Sequence, residues 1–332
     1  MKRWGNLIGE VADFGNLIRA TRKAQRGSRK SPEAAGFVFN MEKECLRLRE
    51  ELLSGTWEPA AYRYFSIQEP KYRIISAASF ADRVVHHALV NVLEPIYEKV
   101  FIYDSYATRK EKGVHKARER AQMFLRKAEW FLKADVQKYF DSIDHDILLS
   151  ILCRKIKDEK LLAILEKIIR HGGTNGKGLP IGNLTSQFLA NVYLDPFDHF
   201  VKETLCVQGY IRYMDDWVIF SEEKAELKTW KKATEGYLHT HLQLTLNPSS
   251  TFLNQKLNGL SYLGARIYPG LMRIHRENFR RVKGRLRRIY AEYNQGYIPE
   301  ERFIASLNSY EAYLEGFDTA GLRKNLWDFL EK

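Results

Sequence analysis

The stretch Gly209-Tyr210-Ile211-Arg212-Tyr213-Met214-Asp215-Asp216-Trp217-Val218-Ile219-Phe220 constrains this chain more than any other. Two β-prone runs flank a Met-Asp-Asp centre. Aspartate is a poor strand residue and a good turn residue, so the pattern predicts a hairpin with Asp215 and Asp216 at its tip. Two adjacent carboxylates repel each other unless a cation relieves them, and Mg²⁺ prefers hard oxygen ligands. Asp135 is a second candidate. It ends the short, bounded apolar run that begins Trp130-Phe131-Leu132 and reads as a buried strand. If the two strands are neighbours, Asp135 and Asp215 can hold two ions roughly 3.5–4 Å apart, a spacing that suits in-line displacement at phosphorus.

Composition narrows the partner. The 332 residues are 45% hydrophobic and 13% aromatic, enough to build a core, so disorder is not expected. The 53 Lys and Arg exceed the 41 Asp and Glu by 12, which suggests a polyanion. Cys45, Cys153 and Cys206 lie far apart and fit neither a disulfide framework nor a zinc site, so a reduced, cytoplasmic chain is expected. Glu10 and Asp13 interrupt the first apolar stretch, which argues against a signal peptide. No uncharged apolar run approaches the roughly 18 residues of a membrane span, so no membrane partner is expected.

Residues 1–55 read as a mostly helical extension, with Leu7, Ile8, Val11, Phe14, Leu17 and Ile18 at helical spacing. Arg19, Arg22, Lys23, Arg26, Arg29 and Lys30 follow with no acid among them, either a solvated helix end or a nucleic-acid contact. A second helix is predicted from about Met41 to Leu53, stopping at Ser54-Gly55. Residues 56–78 turn β-like. Helices are predicted over 80–98, over 114–128, from an Asp144 cap to about 157, and from Ser186 to about Glu203. Residues 171–178 form a glycine-rich loop whose spacing does not fit a phosphate-binding loop.

These residues carry a family resemblance. Tyr213-Met214-Asp215-Asp216 resembles the active-site hairpin of reverse transcriptases, and Lys133-Ala134-Asp135-Val136-Gln137-Lys138-Tyr139-Phe140-Asp141-Ser142-Ile143 resembles their first catalytic motif. Lys71-Tyr72-Arg73-Ile74-Ile75 with Phe80-Ala81-Asp82-Arg83-Val84-Val85 resembles the fingers. Asn258-Gly259-Leu260-Ser261-Tyr262-Leu263-Gly264 resembles the primer grip, and Asp104–Arg109 is a further family-like segment.

The resemblance implies an α+β, right-hand polymerase with fingers (56–128, with part of the palm), an antiparallel palm (129–270) and a helical, basic thumb (271–332). It implies an RNA-directed DNA polymerase with Asp135, Asp215 and Asp216 as catalytic carboxylates. Two Mg²⁺ ions, or Mn²⁺ in their place, would be held by these acids and the Val136 carbonyl. Lys71 and Arg73 would grip the incoming deoxynucleoside triphosphate, a task suited to charge-assisted contacts. Phe140 would crowd a ribose 2′-hydroxyl.

Gly178-Leu179-Pro180-Ile181-Gly182-Asn183-Leu184-Thr185-Ser186-Gln187 stands where most of the family has Gln-Gly and Ser-Pro. This version resembles the enzymes of diversity-generating retroelements, which copy a template RNA with errors at adenines and work with a small accessory protein. Ile181 cannot make the hydrogen bond that Gln makes near the incoming nucleotide, and a lost contact of about 1–3 kcal/mol weakens selection roughly 5–150-fold. Gln187 closes the same motif. The segment Leu244–Thr251 lacks the lysine that many relatives carry near Ser250, leaving that proton-donor role open or moved to Lys256.

Residues 272–290 form an amphipathic basic helix. Phe279, Val282, Leu286 and Ile289 make its apolar stripe, and Arg280, Arg281, Lys283, Arg285, Arg287 and Arg288 its charged face. In a polymerase this helix would track the template–primer duplex. Two alternatives stay open: another bacterial reverse transcriptase reading its own non-coding RNA, and a catalytically inactive RNA-binding scaffold.

Overall fold

A computed structural model describes residues 3–28, 31–68 and 72–321. Four helices open it: α1 (Leu7–Val11), α2 (Phe14–Gln25), α3 (Pro32–Phe39) and α4 (Met41–Ser54). Each boundary has a local cause. The Asp13 carboxylate accepts the Asn16 amide at 2.8 Å to start α2. Ser31-Pro32 starts α3 with a capping hydroxyl and a proline in the first turn. Gly55, at φ 79°, ends α4 where the sequence places the stop.

Strands β1 (Arg63–Ile67) and β2 (Arg73–Ala77) form an antiparallel ribbon, with Phe65 opposite Ile75. Helix α5 (Phe80–Tyr97) then runs against α2, and the Asn16 side chain joins them by donating to the Ala88 carbonyl at 3.1 Å. Helix α6 (Val114–Lys127) leads into β3 (Trp130–Asp135). After it come α7 (Tyr139–Ser142), α8 (His145–Lys155), α9 (Glu159–His171) and α10 (Leu184–His199). Asp144 caps α8 as predicted, accepting from the Asp146 and Ile147 amides at 3.1 Å. The helix predicted from Ser186 to about Glu203 starts at Leu184 and finishes in a π-helical turn, Phe200–Thr204.

The remaining elements are the hairpin β4 (Gly209–Tyr213) and β5 (Asp216–Ser221), α11 (Lys224–Leu242), β6 (Phe252–Gln255), the meander β7 (Leu260–Tyr262), β8 (Ala265–Ile267) and β9 (Met272–Ile274), and helices α12 (Arg276–Asn294) and α13 (Glu300–Glu315). An antiparallel sheet in the order β4-β5-β3-β6 forms the centre. Side chains alternate across it. Leu132, Ala134, Tyr210, Trp217 and Ile219 bury one face in the large core that also holds side chains of α5, α8 and α10. Phe131, Ile211, Val218 and Phe220 bury the other face with α6 and the β7–β9 sheet. No described helix is long and apolar enough to cross a membrane.

Candidate active site

The register of the central sheet gathers the acids. Asp135, the last residue of β3, lies directly opposite Asp216, the first residue of β5, and Asp216 in turn pairs with Tyr213 on β4. Cross-strand partners point to the same face, so Asp135 and Asp216 share one side of the sheet at its open end. The expectation that both hairpin acids sit at the tip needs correcting. The turn is Met214-Asp215 alone, and Asp216 already belongs to the ladder. Met214 has φ 58°, at the position that a two-residue type II′ turn normally gives to glycine.

All three acids are half-buried. Asp135 and Asp215 lie within hydrogen-bond reach of each other. Burial, then the Asp135 charge, pushes the Asp215 carboxyl well above the ordinary carboxylate range, and Arg73 opposes the rise. Asp216 turns toward Lys133, with Nζ 3.3 Å from Oδ2. Burial pushes its carboxyl up to about 7; Lys133 opposes this, while Asp135 and Asp215 add to it. Its other oxygen, Oδ1, is buried without a hydrogen-bond partner. Among the described residues no three His, Cys, Asp or Glu side chains are drawn close enough to enclose an ion as they stand. Instead of the expected three-acid cradle, the structure has an acid pair with a third acid beside it on a lysine. Even so, the site fits divalent cations. Its donors are hard carboxylate oxygens, one is orphaned, and their mutual repulsion calls for positive charge.

The Asp135 carbonyl accepts the Asn247 amide at 2.8 Å, and Gln137 donates to the Thr245 carbonyl at 2.9 Å. Strand alternation therefore turns the Val136 carbonyl away from that segment, toward the β5 side. Arg73 opens β2, exposed, close enough to influence Asp215. The Ile181 carbonyl accepts the Ser76 amide at 2.8 Å, which docks the 178–187 loop on the same ribbon. Gly182, at φ 118°, lies so close to Ile75 that a Cβ there would meet its Cγ2 at 2.7 Å. Phe140, in α7, packs edge-on to Tyr139 against the core, and its carbonyl accepts the Leu179 amide at 2.8 Å. Gln187 is exposed in the first turn of α10. Lys71 lies outside the described residues.

Two expectations divide here. Arg280, Arg281, Arg287 and Arg288 stand exposed on α12, with Lys283 half-buried, while Leu286, Val282 and Ile289 pack toward α13. Lys256, by contrast, cannot serve chemistry at Asp135. It follows β6 next to the Trp130 end of β3 and pairs with Glu129, about 20 Å along the strand from the acids.

Sequence reading missed the groups beneath the turn. Arg212 and Asp198 are fully buried and joined by two bonds of 2.7 and 2.5 Å. Arg212 Nη1 also donates to the Met214 carbonyl at 2.9 Å and to Asn191 Oδ1 at 3.1 Å, and Tyr210 donates to Asp198 at 2.7 Å. The family-like segment Asp104–Arg109, left without a role above, pairs with β4: Arg212 donates to the Asp104 carbonyl and Tyr106 to the Arg212 carbonyl, both at 2.9 Å. The primer-grip-like turn Leu263-Gly264 is tied to α6 by Arg118, which donates to the Leu263 carbonyl, and to α12 by Asn278, which donates to the Gly264 carbonyl at 3.2 Å.

The profile of the family described as reverse transcriptase (RNA-dependent DNA polymerase) matches residues 67–267, more than half of the chain and all of the central sheet. The chain belongs to the reverse transcriptase family. Protein YkfC of Escherichia coli strain K12 is 27% identical over 266 residues, covering 66% of this reverse transcriptase and 70% of YkfC. The group II intron-encoded protein LtrA of Lactococcus lactis subsp. cremoris is 30% identical over 172 residues, 49% of this chain and 29% of LtrA. Among solved structures, apo telomerase from Candida Tropicalis, truncated from its C-terminal domain, superimposes with a TM-score of 0.50 at 12% identity, covering 65% of this chain and 55% of that one. That likeness concerns the fold: a right-hand polymerase of mixed helix and antiparallel sheet. The family is one of RNA-directed DNA polymerases, which places this chain among the enzymes.

Proposed function

We propose that this chain extends a DNA primer on an RNA template by two-metal nucleotidyl transfer, with Asp135, Asp215 and Asp216 as the catalytic carboxylates. The observation that carries the reading is the pairing of Asp135 with Asp216 across β3 and β5, with Asp215 in hydrogen-bond reach of Asp135. A scaffold that only bound RNA would gain nothing from clustering acids against a polyanion. Asp135, Asp215 and the orphaned oxygen of Asp216, with the Val136 carbonyl, would hold two Mg²⁺ ions or Mn²⁺ in their place. When bound, such ions lower the pKa of the primer 3′-hydroxyl and neutralise charge gathering on the leaving pyrophosphate.

The chain's own residues supply the rest of this reading. The β1–β2 ribbon (fingers, 56–128) would bring Arg73 and Lys71 onto the triphosphate of a deoxynucleotide. Phe140 would close the sugar pocket against a 2′-hydroxyl. Ile181 and Gln187 would border the nascent base pair. In the thumb (271–332), Arg280, Arg281, Lys283, Arg287 and Arg288 would follow the duplex backbone by sequence-independent contacts. Primer extension on an RNA template with Mg²⁺, with Asp215→Ala as control, tests the reading. Extension by the parent alone supports it, and no extension by the parent across several templates favours the scaffold.

The finer reading is error-prone synthesis within a diversity-generating retroelement, with an accessory protein as partner. Its support is the apolar Ile181 where a hydrogen-bonding side chain could test geometry. The likeness to YkfC and LtrA favours a second reading, a bacterial reverse transcriptase dedicated to its own structured RNA. Sequencing the RNA that copurifies with the chain separates them: a template repeat matching a variable gene supports the first, an intron or solitary non-coding RNA the second.

A further inference from the structure

Met214 must adopt a left-handed backbone for Asp215 to occupy the second position of the turn, yet its side chain disfavours that conformation. Something has to hold it there. The Met214 carbonyl receives a hydrogen bond from Arg212 Nη1, two residues back along β4. A side chain able to reach its own turn would ordinarily swing into solvent. Arg212 does not, because its Nε and Nη2 are fixed by both oxygens of Asp198 on α10, and Nη1 is fixed again by Asn191, two turns earlier on the same face of that helix. Asn191 is itself held. Its Nδ2 donates to the Ala107 carbonyl at 2.8 Å and to the Thr108 hydroxyl at 2.9 Å, in the segment that pairs with β4. Arg212 and Asp198 have no solvent exposure, so neither is available to nucleic acid or nucleotide.

We propose that Arg212 is a positioning residue of the polymerase. Clamped by Asp198 and Asn191, its guanidinium holds the Met214-Asp215 turn in the conformation that sets Asp215 against Asp135. The guanidinium is needed for its shape as much as for its charge. A planar fork can bond two carboxylate oxygens and still aim a third N–H at a carbonyl, whereas a lysine ammonium is a point donor. The inference rests on the polymerase reading above, and the experiment keeps the two apart.

A buried ion pair can often be replaced by apolar residues of similar volume without loss of stability. The double variant Asp198→Leu/Arg212→Met therefore removes the clamp while leaving the core filled. The expected result is an unfolding temperature within a few degrees of the parent, kcat for primer extension lower by on the order of 10–100-fold, the scale of a charged hydrogen bond, and KM for the deoxynucleotide little changed. Mn²⁺ binding, read by paramagnetic resonance without substrate, should weaken in parallel. A well-folded double variant with parental kcat and parental Mn²⁺ affinity overturns the proposal. If the double variant does not fold, Arg212→Lys, which keeps the charge opposite Asp198, decides alone: parental kcat and Mn²⁺ binding overturn the proposal, and a loss of both supports it. A parent with no extension activity instead counts against the polymerase reading itself.

Discussion

Asp135 and Asp216 face each other across β3 and β5, and Asp216 spends half of its carboxylate on Lys133 while the other oxygen has no partner. This arrangement costs stability to keep negative charge in one place. Burial, opposed by Lys133 and helped by Asp135 and Asp215, holds the Asp216 carboxyl at about 7, above its ordinary 3.8. A raised carboxyl pKa means that the ionised form is disfavoured in the fold, so the penalty grows from pH 3.8 and is complete above 7. Asp216→Asn should therefore unfold a few degrees higher than the parent at pH 8 in chelator, and the gain should vanish as the pH falls toward 4. Calorimetry checks this. The same variant should lose at least roughly 10²-fold in primer extension, the scale for removing one preorganised charge from an active site.

His199 supplies the opposite slope. Asp195 beside its ring, and then Glu203 at 2.6 Å, raise it to about 9 from 6.5 against the effect of burial. A histidine bound more tightly to its proton in the fold stabilises fully below pH 6.5 and loses that contribution as pH rises through 9. The parent should lose a few degrees of unfolding temperature across that window, and His199→Gln should not. Thermal scans at fixed ionic strength decide it.

Lys256→Ala should leave extension within about twofold of the parent, because the side chain is paired with Glu129 at the far end of β3. A large fall in kcat would mean that the lysine reaches the acids in the working complex.

Replacing Arg280, Arg281, Arg287 and Arg288 together with alanine should weaken template–primer binding equally for all sequences. It should also reduce the slope of log affinity against log salt by roughly four. Unchanged salt dependence would remove α12 from the duplex path.

Ile181→Gln should lower misincorporation, most of all opposite adenine. Product sequencing measures this, and an unchanged error spectrum counts against Ile181 as a determinant of fidelity.

Much of this molecule is legible in its residues because much of it is local. The Gly55 stop, the Asp144 cap and the hairpin about Met214 depend on neighbours within a few positions, and short-range chemistry decides them. Helix α9 is legible in the same way, through Leu161, Ile164, Leu165, Ile168 and Ile169 at helical spacing. What could not be read is long-range. That Asp135 falls opposite Asp216 follows from strand register, which the rows of letters suggest only through the family resemblance. The Arg212–Asp198 clamp joins residues 14 apart, and neither letter stands out from ordinary charge. The failure of Lys256 has the same origin: closeness in sequence to the motif said nothing about which end of β3 it would meet.

The ribbon formed by β1 and β2 has a consequence for how this polymerase can be altered. Two strands alone make a marginal structure, and Tyr64, Phe65 and Ile74 are left largely in solvent. Its anchorage includes the backbone bond from Ser76 to Ile181 and the close seat of Ile75 on Gly182. On the roles proposed for Ile181 and Arg73, accuracy and grip on the triphosphate share this one anchorage. A substitution that displaces the Ser76–Ile181 bond or the Ile75–Gly182 seat should also shift the strand that carries Arg73, so fidelity and nucleotide affinity should change together in such variants.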